Sequence, residues 1–269
     1  MRTILILISS LTLLLQSACT NLNLASSSPE CLYQGSTTIY EAEQDKWYFT
    51  DEKDASVETL PASTFKIIHS LIALEENEII DQTEKFIWDG IPRTVGTPAQ
   101  VVTKWNQDTN LKMAFQNSTV WFYEVIEKRI PRGTYQRYLA DNKYGNGNLT
   151  TSGNFWVYGD FAVSPIDQIE FLRKLEDGTV TFSKRTVDIL KDIMCSVGDD
   201  GEKLCVKTGW TDDNNLNVGW YVGWLERASK KVFFATRLKE QVVSDVPRFL
   251  ACRKQVTNYY LTKIGAELP

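Results

Sequence analysis

Three runs rich in valine, tryptophan and phenylalanine in the last quarter of the chain constrain the fold most. They read KLCVKTGW (203–210), VGWYVGWLE (218–226) and KVFFATRL (231–238), and polar residues separate them. Runs of this length, rich in β-branched and aromatic residues, are typical of strands. A short polar stretch from Arg227 to Lys230 joins the last two runs, which predicts a hairpin.

The other predicted strands lie near the start of the chain, and helices fill the middle. Short β-like runs cover 36–40 and 46–50. Helical patterns follow at 61–76, 118–130, 135–140, 164–175, 183–194 and 247–264, with mixed, loop-rich sequence at 77–115. This order predicts an α/β plus all-α fold, in which an antiparallel sheet is flanked by helices and carries an inserted helical lobe. We expect one domain over 26–269, with a sheet lobe at about 30–60 and 198–269 and a helical lobe at about 61–197.

The first residues predict export from the cytoplasm. Arg2 precedes an apolar stretch from Ile4 to Leu15, and small residues up to Cys19 follow. This pattern is typical of a secretory signal peptide, here placed at 1–25, and predicts a periplasmic protein. The run LLLQSAC also loosely resembles a bacterial lipobox with Cys19 as the acylated residue. Two alternatives stay open: a lipid anchor at Cys19 after a signal at 1–18, or plain cleavage near Ala25.

Charge and histidine content exclude several classes of function. The 269 residues carry a net charge of −5 and contain a single histidine. An acidic chain without a cluster of lysines and arginines lacks the positive surface that binds the phosphates of nucleic acids. One histidine cannot build a multi-histidine zinc site, and no cysteine cluster has metal-ligand spacing. We therefore expect no nucleic-acid partner and no metal.

Four cysteines remain beyond the predicted signal peptide, and their even number suggests disulfides in an oxidising compartment. Cys195 and Cys205 flank a Gly/Asp-rich turn and can pair across a hairpin. Cys31 and Cys252 would then join the two ends of the chain. Buried free thiols are the alternative for each pair.

Ser63 and Lys66 suggest nucleophilic chemistry in the segment LPASTFKIIHS (60–70). A spacing of three places both side chains on one helical face. A serine is a weak nucleophile until a base removes its proton, and a lysine can be that base when apolar burial lowers its pKa. His69 lies roughly 120° around the helix from Ser63, so we interpret it as structural.

Three further motifs follow Ser63 and Lys66 in order along the chain. They are Ser118-Thr119-Val120, Tyr144-Gly145-Asn146 and Lys207-Thr208-Gly209. Together with the run FWVYGDFAVSPIDQIEFLRKL (155–175), they resemble the class D serine β-lactamases, the oxacillinase type. Penicillin-binding proteins and class A enzymes share the first and last motifs but typically carry Ser-Asp-Asn in the middle. Val120 in place of that asparagine favours class D. The resemblance extends over nearly the whole mature chain.

The resemblance implies a role for each residue on the nucleophile side of the site. Ser63 would form the acyl-enzyme and Lys66 would be its general base, carboxylated by CO₂ to N6-carboxylysine. Trp156 would hold that group through its indole N–H, and Val120 would cover it. Ser118 would relay a proton to the leaving nitrogen, and it is also placed to cap the helix that follows.

The same resemblance assigns the residues that bind substrate. Lys207 and Thr208 would meet the substrate carboxylate, and Gly209 would let the substrate lie against the strand. The backbone N–H groups of Ser63 and Trp210 would form the oxyanion hole. Arg253 would also bind the carboxylate, and we choose it over Arg248 because the run RKQVTNYYLTKIG matches the family's last helix better from Arg253.

The function predicted from these residues is hydrolysis of a small-molecule β-lactam, with CO₂ or bicarbonate needed only for the modified lysine. Two alternatives use the same fold: a β-lactam sensor that is acylated without turnover, and a peptidoglycan transpeptidase or carboxypeptidase. The preferred β-lactams depend on the loops 91–100 and 211–217, whose shape the sequence does not give. A monomer and a homodimer both stay open.

Overall fold

A computed structural model describes residues 20–21, 31–95, 100–228 and 230–269. The predicted signal peptide and the lipidation site at Cys19 fall almost entirely on 1–19 and 22–30, outside the described residues. Within the described ranges, no helix has both the length and the apolar character needed to cross a membrane.

A seven-stranded sheet forms the centre of the molecule. Its strands are β1 (Thr20–Asn21), β2 (Gln34–Glu41), β3 (Lys46–Phe49), β6 (Cys195–Val197), β7 (Lys203–Asp213), β8 (Leu216–Arg227) and β9 (Lys230–Glu240). Their order across the sheet is β1-β3-β2-β9-β8-β7-β6, and every neighbouring pair is antiparallel except β1 with β3. A separate ribbon pairs β4 (Thr94–Val95) with β5 (Gln100–Val101). The predicted antiparallel sheet built from both ends of the chain is confirmed.

Seven α-helices flank the sheet in the described part of the chain. They are α1 (Lys66–Glu75), α2 (Leu111–Asn117), α3 (Val120–Arg129), α4 (Arg132–Asn142), α5 (Pro165–Asp177), α6 (Lys184–Met194) and α7 (Val246–Lys263). α5 begins with the expected capping box, in which Ser164 and Asp167 each accept from the other's backbone N–H, and Pro165 is its first residue. α2 was not predicted, and it starts where Asn110 accepts from the Met113 backbone N–H.

Two apolar clusters hold the layers together. The larger one packs α1, α3 and α5 against one face of the sheet and includes Phe65, Trp156 and Trp220. The smaller one packs α7 against the opposite face through Phe249 and Leu261. Because helices cover both faces, the central strands β8 and β9 are buried almost continuously rather than in alternation.

Both predicted cysteine pairs form disulfides in the structure. Cys31 bonds to Cys252, which ties the start of the sheet lobe to α7. Cys195 bonds to Cys205, its direct cross-strand neighbour between β6 and β7. Free thiols, the alternative left open by the sequence, are absent at these four positions of the described chain.

The stretch 211–217, expected to be a loop, is mostly strand. β7 continues to Asp213 and β8 starts at Leu216, so only Asn214 and Asn215 form the turn. Both asparagines have left-handed φ angles of 50° and 60°. Two consecutive left-handed residues match the right-handed twist of the paired strands, and asparagine tolerates that conformation.

Candidate active site

Ser63 lies on a 3-10 helix, Ala62–Phe65, that leads directly into α1. The turn is braced from two sides: the Ala62 backbone N–H donates to the Trp156 carbonyl at 2.8 Å, and the Trp220 indole donates to the Leu60 carbonyl at 2.8 Å. Lys66 opens α1, and its Nζ lies 2.8 Å from Ser63 Oγ in a direct hydrogen bond. The structure therefore brings the serine and the lysine together as their spacing predicted.

Lys66 is completely buried, whereas Ser63 is partly exposed above it. Burial lowers the pKa of Lys66 to about 7, although the nearby Glu124 carboxylate opposes this change. The Tyr123 ring packs against the ammonium group, with Nζ 5.1 Å from the ring centroid. An amine with this pKa is largely able to accept a proton at neutral pH, which an exposed lysine is not.

A cavity of about 710 Å³ opens above Ser63 between the helical lobe and β7. Its wall includes the predicted site residues Ser118, Val120, Thr208, Gly209, Trp210 and Arg253. It also includes Trp105, Glu124, Tyr158 and Leu250, which were not predicted as site residues. A space of this size suits a small-molecule ligand.

Ser118 and Lys207 form a second serine–lysine pair in the site. Lys207 Nζ donates a short hydrogen bond to Ser118 Oγ, and this links β7 to the segment between α2 and α3. Burial, together with the nearby charges of Lys66 and Arg253, holds the pKa of Lys207 well below its usual range. Lys207 is thus a buried amine next to a hydroxyl, an arrangement suited to passing on a proton.

Ser118 does not cap the helix that follows it, so that alternative role is wrong. The N-cap of α3 is Thr119, and Ser118 is instead the C-cap residue that follows α2, with a left-handed φ of 55°. The turn between the two helices places the Ser118 hydroxyl towards Lys207.

Gly209 permits the close approach of β7 to the nucleophile turn. A Cβ atom at this position would lie 2.8 Å from the Pro61 carbonyl oxygen and 3.2 Å from the Ser63 nitrogen. Any larger residue would push β7 away from Ser63. The absence of a side chain at Gly209 therefore makes room for the backbone of the nucleophile turn, and the next residue, Trp210, lines the cavity.

Arg253 lies in the cavity wall, whereas Arg248 is exposed at the start of α7. Arg253 Nη1 donates to the Gly209 carbonyl, and Nε donates to the Leu250 carbonyl at 2.9 Å. Burial lowers the pKa of Arg253 to about 10, so the group is still charged at neutral pH. A buried guanidinium next to β7 is placed to attract an anionic ligand.

Trp156 and Val120 are the two residues expected to surround the Lys66 side chain. Trp156 is completely buried, and its ring stacks on Phe65 with centroids 5.6 Å apart. Its indole Nε1 is a buried donor with no hydrogen-bond partner among the described residues. Val120 is half-buried at the first turn of α3 and lines the cavity. A buried N–H without an acceptor is uncommon in proteins and indicates a place where a polar group can bind.

His69 takes no part in this arrangement. It is buried on α1, and its Nε2 lies 2.7 Å from Tyr135 Oη on α4. Burial, and secondly the nearby Lys66, holds the pKa of His69 well below its usual range, so the ring is neutral. The geometry agrees with the structural interpretation.

The Tyr144-Gly145-Asn146 motif supports the site through hydrogen bonds to the chain that surrounds it. Asn146 Oδ1 accepts from the Ala162 backbone N–H and its Nδ2 donates to the Asp160 carbonyl, which fixes the chain before α5. Tyr144 Oη donates to Gln168 Oε1 at 3.1 Å. Gln168 in turn donates to Thr64 Oγ1 at 2.7 Å, next to the nucleophile. Sequence reasoning missed Thr64 and Gln168, because this link joins residues that are far apart in the chain.

Comparisons with known proteins agree with this geometry. Residues 26–245 match the family model of the penicillin binding protein transpeptidase domain. The β-lactamase OXA-3 of Pseudomonas aeruginosa is 39% identical over 179 residues, which are 66% of this chain and 61% of that protein. OXA-20 from the same organism is 36% identical over 189 residues, 70% of this chain and 67% of that one. The chain thus spans less than two thirds of the length of the first of these relatives.

A solved structure extends the likeness to the fold. The class D β-lactamase of Sebaldella termitidis superposes with a TM-score of 0.81 at 35% identity, over 88% of this chain and 93% of that one. The same antiparallel sheet with flanking helices therefore occurs in a related protein. From the matched family model, these relatives and the shared fold, we conclude that the chain belongs to the class D serine β-lactamase family.

Proposed function

We propose that this protein hydrolyses β-lactam antibiotics through an acyl-enzyme on Ser63 and thereby confers antibiotic resistance. The observation that carries the proposal is the hydrogen bond of 2.8 Å between Ser63 Oγ and the buried Lys66 Nζ at the base of the cavity. The membership of the class D family supports it.

In the acylation step, the Lys66 side chain takes the proton of Ser63 Oγ–H while the oxygen attacks the lactam carbonyl carbon. The charge that develops on the carbonyl oxygen would be stabilised by the backbone N–H groups of Ser63 and Trp210, whose strand passes beside the nucleophile turn. A new C–O bond to Ser63 forms as the C–N bond of the ring breaks.

The leaving nitrogen needs a proton, and Ser118 can supply it. Lys207 Nζ donates to Ser118 Oγ, so a proton given up by Ser118 is replaced from Lys207. The antibiotic's carboxylate would lie near Thr208 and the buried Arg253 guanidinium, which orients the ring towards Ser63. In the second half of the reaction, water attacks the ester carbonyl and Ser63 Oγ recovers its proton.

The surroundings of Lys66 fit an N-carboxylated side chain. Burial keeps much of the amine neutral, the form that adds CO₂, and the unpaired Trp156 indole N–H offers a donor for the product. Val120 would cover the group from the cavity side. When bound, the carboxylate would supply an oxygen base, unprotonated at neutral pH, for both acylation and deacylation.

We also propose that the protein acts after export to the periplasm. The support is the pattern of residues 1–25, in which Arg2 precedes a short apolar stretch. A lipid anchor at Cys19 remains an alternative form of the same proposal.

One assay tests the hydrolase against the alternatives. Purified protein is mixed with a chromogenic cephalosporin, with and without added bicarbonate, and Ser63 acylation is followed by mass spectrometry. We expect many turnovers per molecule, a higher rate with bicarbonate, and no acylation of a Ser63→Ala variant. Acylation of one equivalent without turnover would contradict hydrolysis and favour a β-lactam sensor. Release of D-alanine from a cell-wall peptide without cephalosporin turnover would favour a carboxypeptidase.

A further inference from the structure

Glu124 is a carboxylate on the cavity wall without a role in the proposed reaction. It lies on α3 one helical turn after Val120, so the two side chains share a face and both line the cavity. The preceding residue, Tyr123, is the one whose ring packs against Lys66 Nζ. Glu124 is half-buried, so water screens its charge less than at the surface.

Glu124 also holds the turn that contains Trp156. Asn154 Nδ2 donates to Glu124 Oε1 at 2.6 Å. The Asn154 carbonyl accepts from the backbone N–H groups of Val157 and Tyr158, and Asn154 has a left-handed φ of 46°. The hydrogen bond therefore ties α3 to the tight turn around Trp156.

The other titratable groups that face Lys66 do not supply a negative charge. Lys207 approaches from β7 and interacts with Lys66 as one cation with another. His69 on α1 and Tyr123 on α3 are buried, and burial keeps both of them neutral. Glu124 is thus the anionic group that acts on Lys66 within the described part of the chain.

We propose that Glu124 controls how readily Lys66 takes up CO₂, through its negative charge and through the turn that it anchors for Trp156. This inference rests on the carboxylation of Lys66 in the proposed function. In that reaction the lone pair of neutral Nζ forms a bond to the carbon of CO₂, one C=O electron pair moves onto oxygen, and one Nζ proton passes to water.

Two effects of the Glu124 charge act in the same direction. The carboxylate favours the ammonium form of Lys66, which has no lone pair for CO₂. It also repels the new negative charge of the carboxylated side chain. Glu124 would therefore raise the bicarbonate concentration and the pH needed for the modification above the values that burial alone would require.

The test is ¹³C NMR of the purified protein in ¹³C-bicarbonate, with Glu124→Gln as the main variant. Glutamine keeps an oxygen that accepts from Asn154 but lacks the charge. We expect the bicarbonate concentration for half-maximal carbamate signal to fall roughly tenfold, as one pKa unit of lost interaction would give. The signal should also persist to lower pH than in the unchanged protein.

Two further variants separate charge from anchoring. Asn154→Gly removes the hydrogen bond but keeps the left-handed backbone and the Glu124 charge, and we expect it to require more bicarbonate. Glu127→Gln is the matched control, because Glu127 lies on the same helix but pairs with Arg132 outside the cavity wall. It should titrate like the unchanged protein.

The outcomes distinguish this inference from the function on which it rests. A carbamate signal that titrates identically in the unchanged protein and in Glu124→Gln would overturn the role of Glu124. No signal in either protein would overturn both the role and the modification. The acylation of Ser63 by a cephalosporin would still test the hydrolase separately.

Discussion

Two regions of the molecule contain buried basic side chains, and they differ in what those side chains contact. The Asp54 cluster consists of Asp54, Arg237, Lys239 and Ser36 at the sheet. There, Arg237 Nη2 and Lys239 Nζ lie 2.9 Å and 2.6 Å from Asp54 Oδ1. The lysine pair consists of Lys66 and Lys207, and neither forms an ion pair with a described residue; each instead donates to a serine hydroxyl.

The difference separates a structural use of buried charge from a chemical one. Burial raises the pKa of Asp54, but hydrogen bonds from Lys239 and Ser36 and the charge of Arg237 lower it more, so the carboxylate stays charged. Without a contacting carboxylate, burial brings the pKa of Lys66 down to about 7. A paired buried cation keeps its charge, whereas an unpaired one can exchange its proton at neutral pH.

The Lys66→Ala variant tests most directly whether the unpaired buried lysine acts as a base. The variant leaves Ser63 without the base that is 2.8 Å away, so we expect turnover of a cephalosporin to fall by about 10³-fold or more. Steady-state kinetics measure this, with circular dichroism to show that the protein is folded. A folded Lys66→Ala protein with near-normal turnover would refute the role of Lys66 as base.

If the buried charges of the Asp54 cluster stabilise the fold, the Asp54→Ala variant should be less stable. Arg237 would remain fully buried without its carboxylate, so we expect the free energy of unfolding to fall by about 3–5 kcal/mol. Urea denaturation measures the change. Asp188→Ala is the control, because its ion pair with Lys184 is exposed and should contribute less than about 1 kcal/mol. Equal losses in the two variants would show that burial does not distinguish these pairs.

Lys66→Met should separate stability from activity. Replacing an unpaired buried cation with an apolar side chain of similar length should raise the free energy of unfolding by about 1–4 kcal/mol near neutral pH while turnover is lost. The pKa of Lys66 is about 7 in the folded protein against 10.5 for an ordinary lysine. The unfolded chain therefore binds more protons between these values, and stability should rise with pH there.

Denaturation at a series of pH values checks this prediction. The Lys66→Met change removes the contribution of Lys66 to the rise of unfolding free energy with pH. The contribution of Lys207 remains and has the same sign, because its pKa is also lowered in the folded protein. Identical pH dependence in Lys66→Met and in the unchanged protein would mean that the lysine is charged in both states.

The smallest predicted effect is that of Ser36→Ala. Ser36 Oγ donates to Asp54 Oδ2 at 2.5 Å, but Arg237 and Lys239 would still satisfy the carboxylate. We expect a loss of about 1 kcal/mol in the free energy of unfolding and no change in turnover, as for one hydrogen bond to a charged group. A loss as large as that for Asp54→Ala would indicate that the cluster acts as one unit.

Local patterns were sufficient for much of the fold and of the nucleophile side of the site. The three C-terminal strand runs, the capping box at Ser164 and the spacing of Ser63 and Lys66 each depend on neighbours within a few residues. α2 was missed because its seven residues, Leu111–Asn117, are too short to show a clear helical period. Ser118 was misplaced as a helix cap because the boundary between α2 and α3 is set by a left-handed turn that the sequence does not reveal.

The sequence by itself determined which side chains can carry the chemistry and that the sheet is built from both ends of the chain. Only the tertiary structure decided their environments: the burial that lowers the pKa of Lys66, the pairing of Lys207 with Ser118, and the position of Glu124 on the cavity wall, where its charge acts on Lys66. The physical reason is that a pKa depends on solvent exclusion and on charges contributed by other elements. Those elements are distant in the chain, and packing alone brings them together.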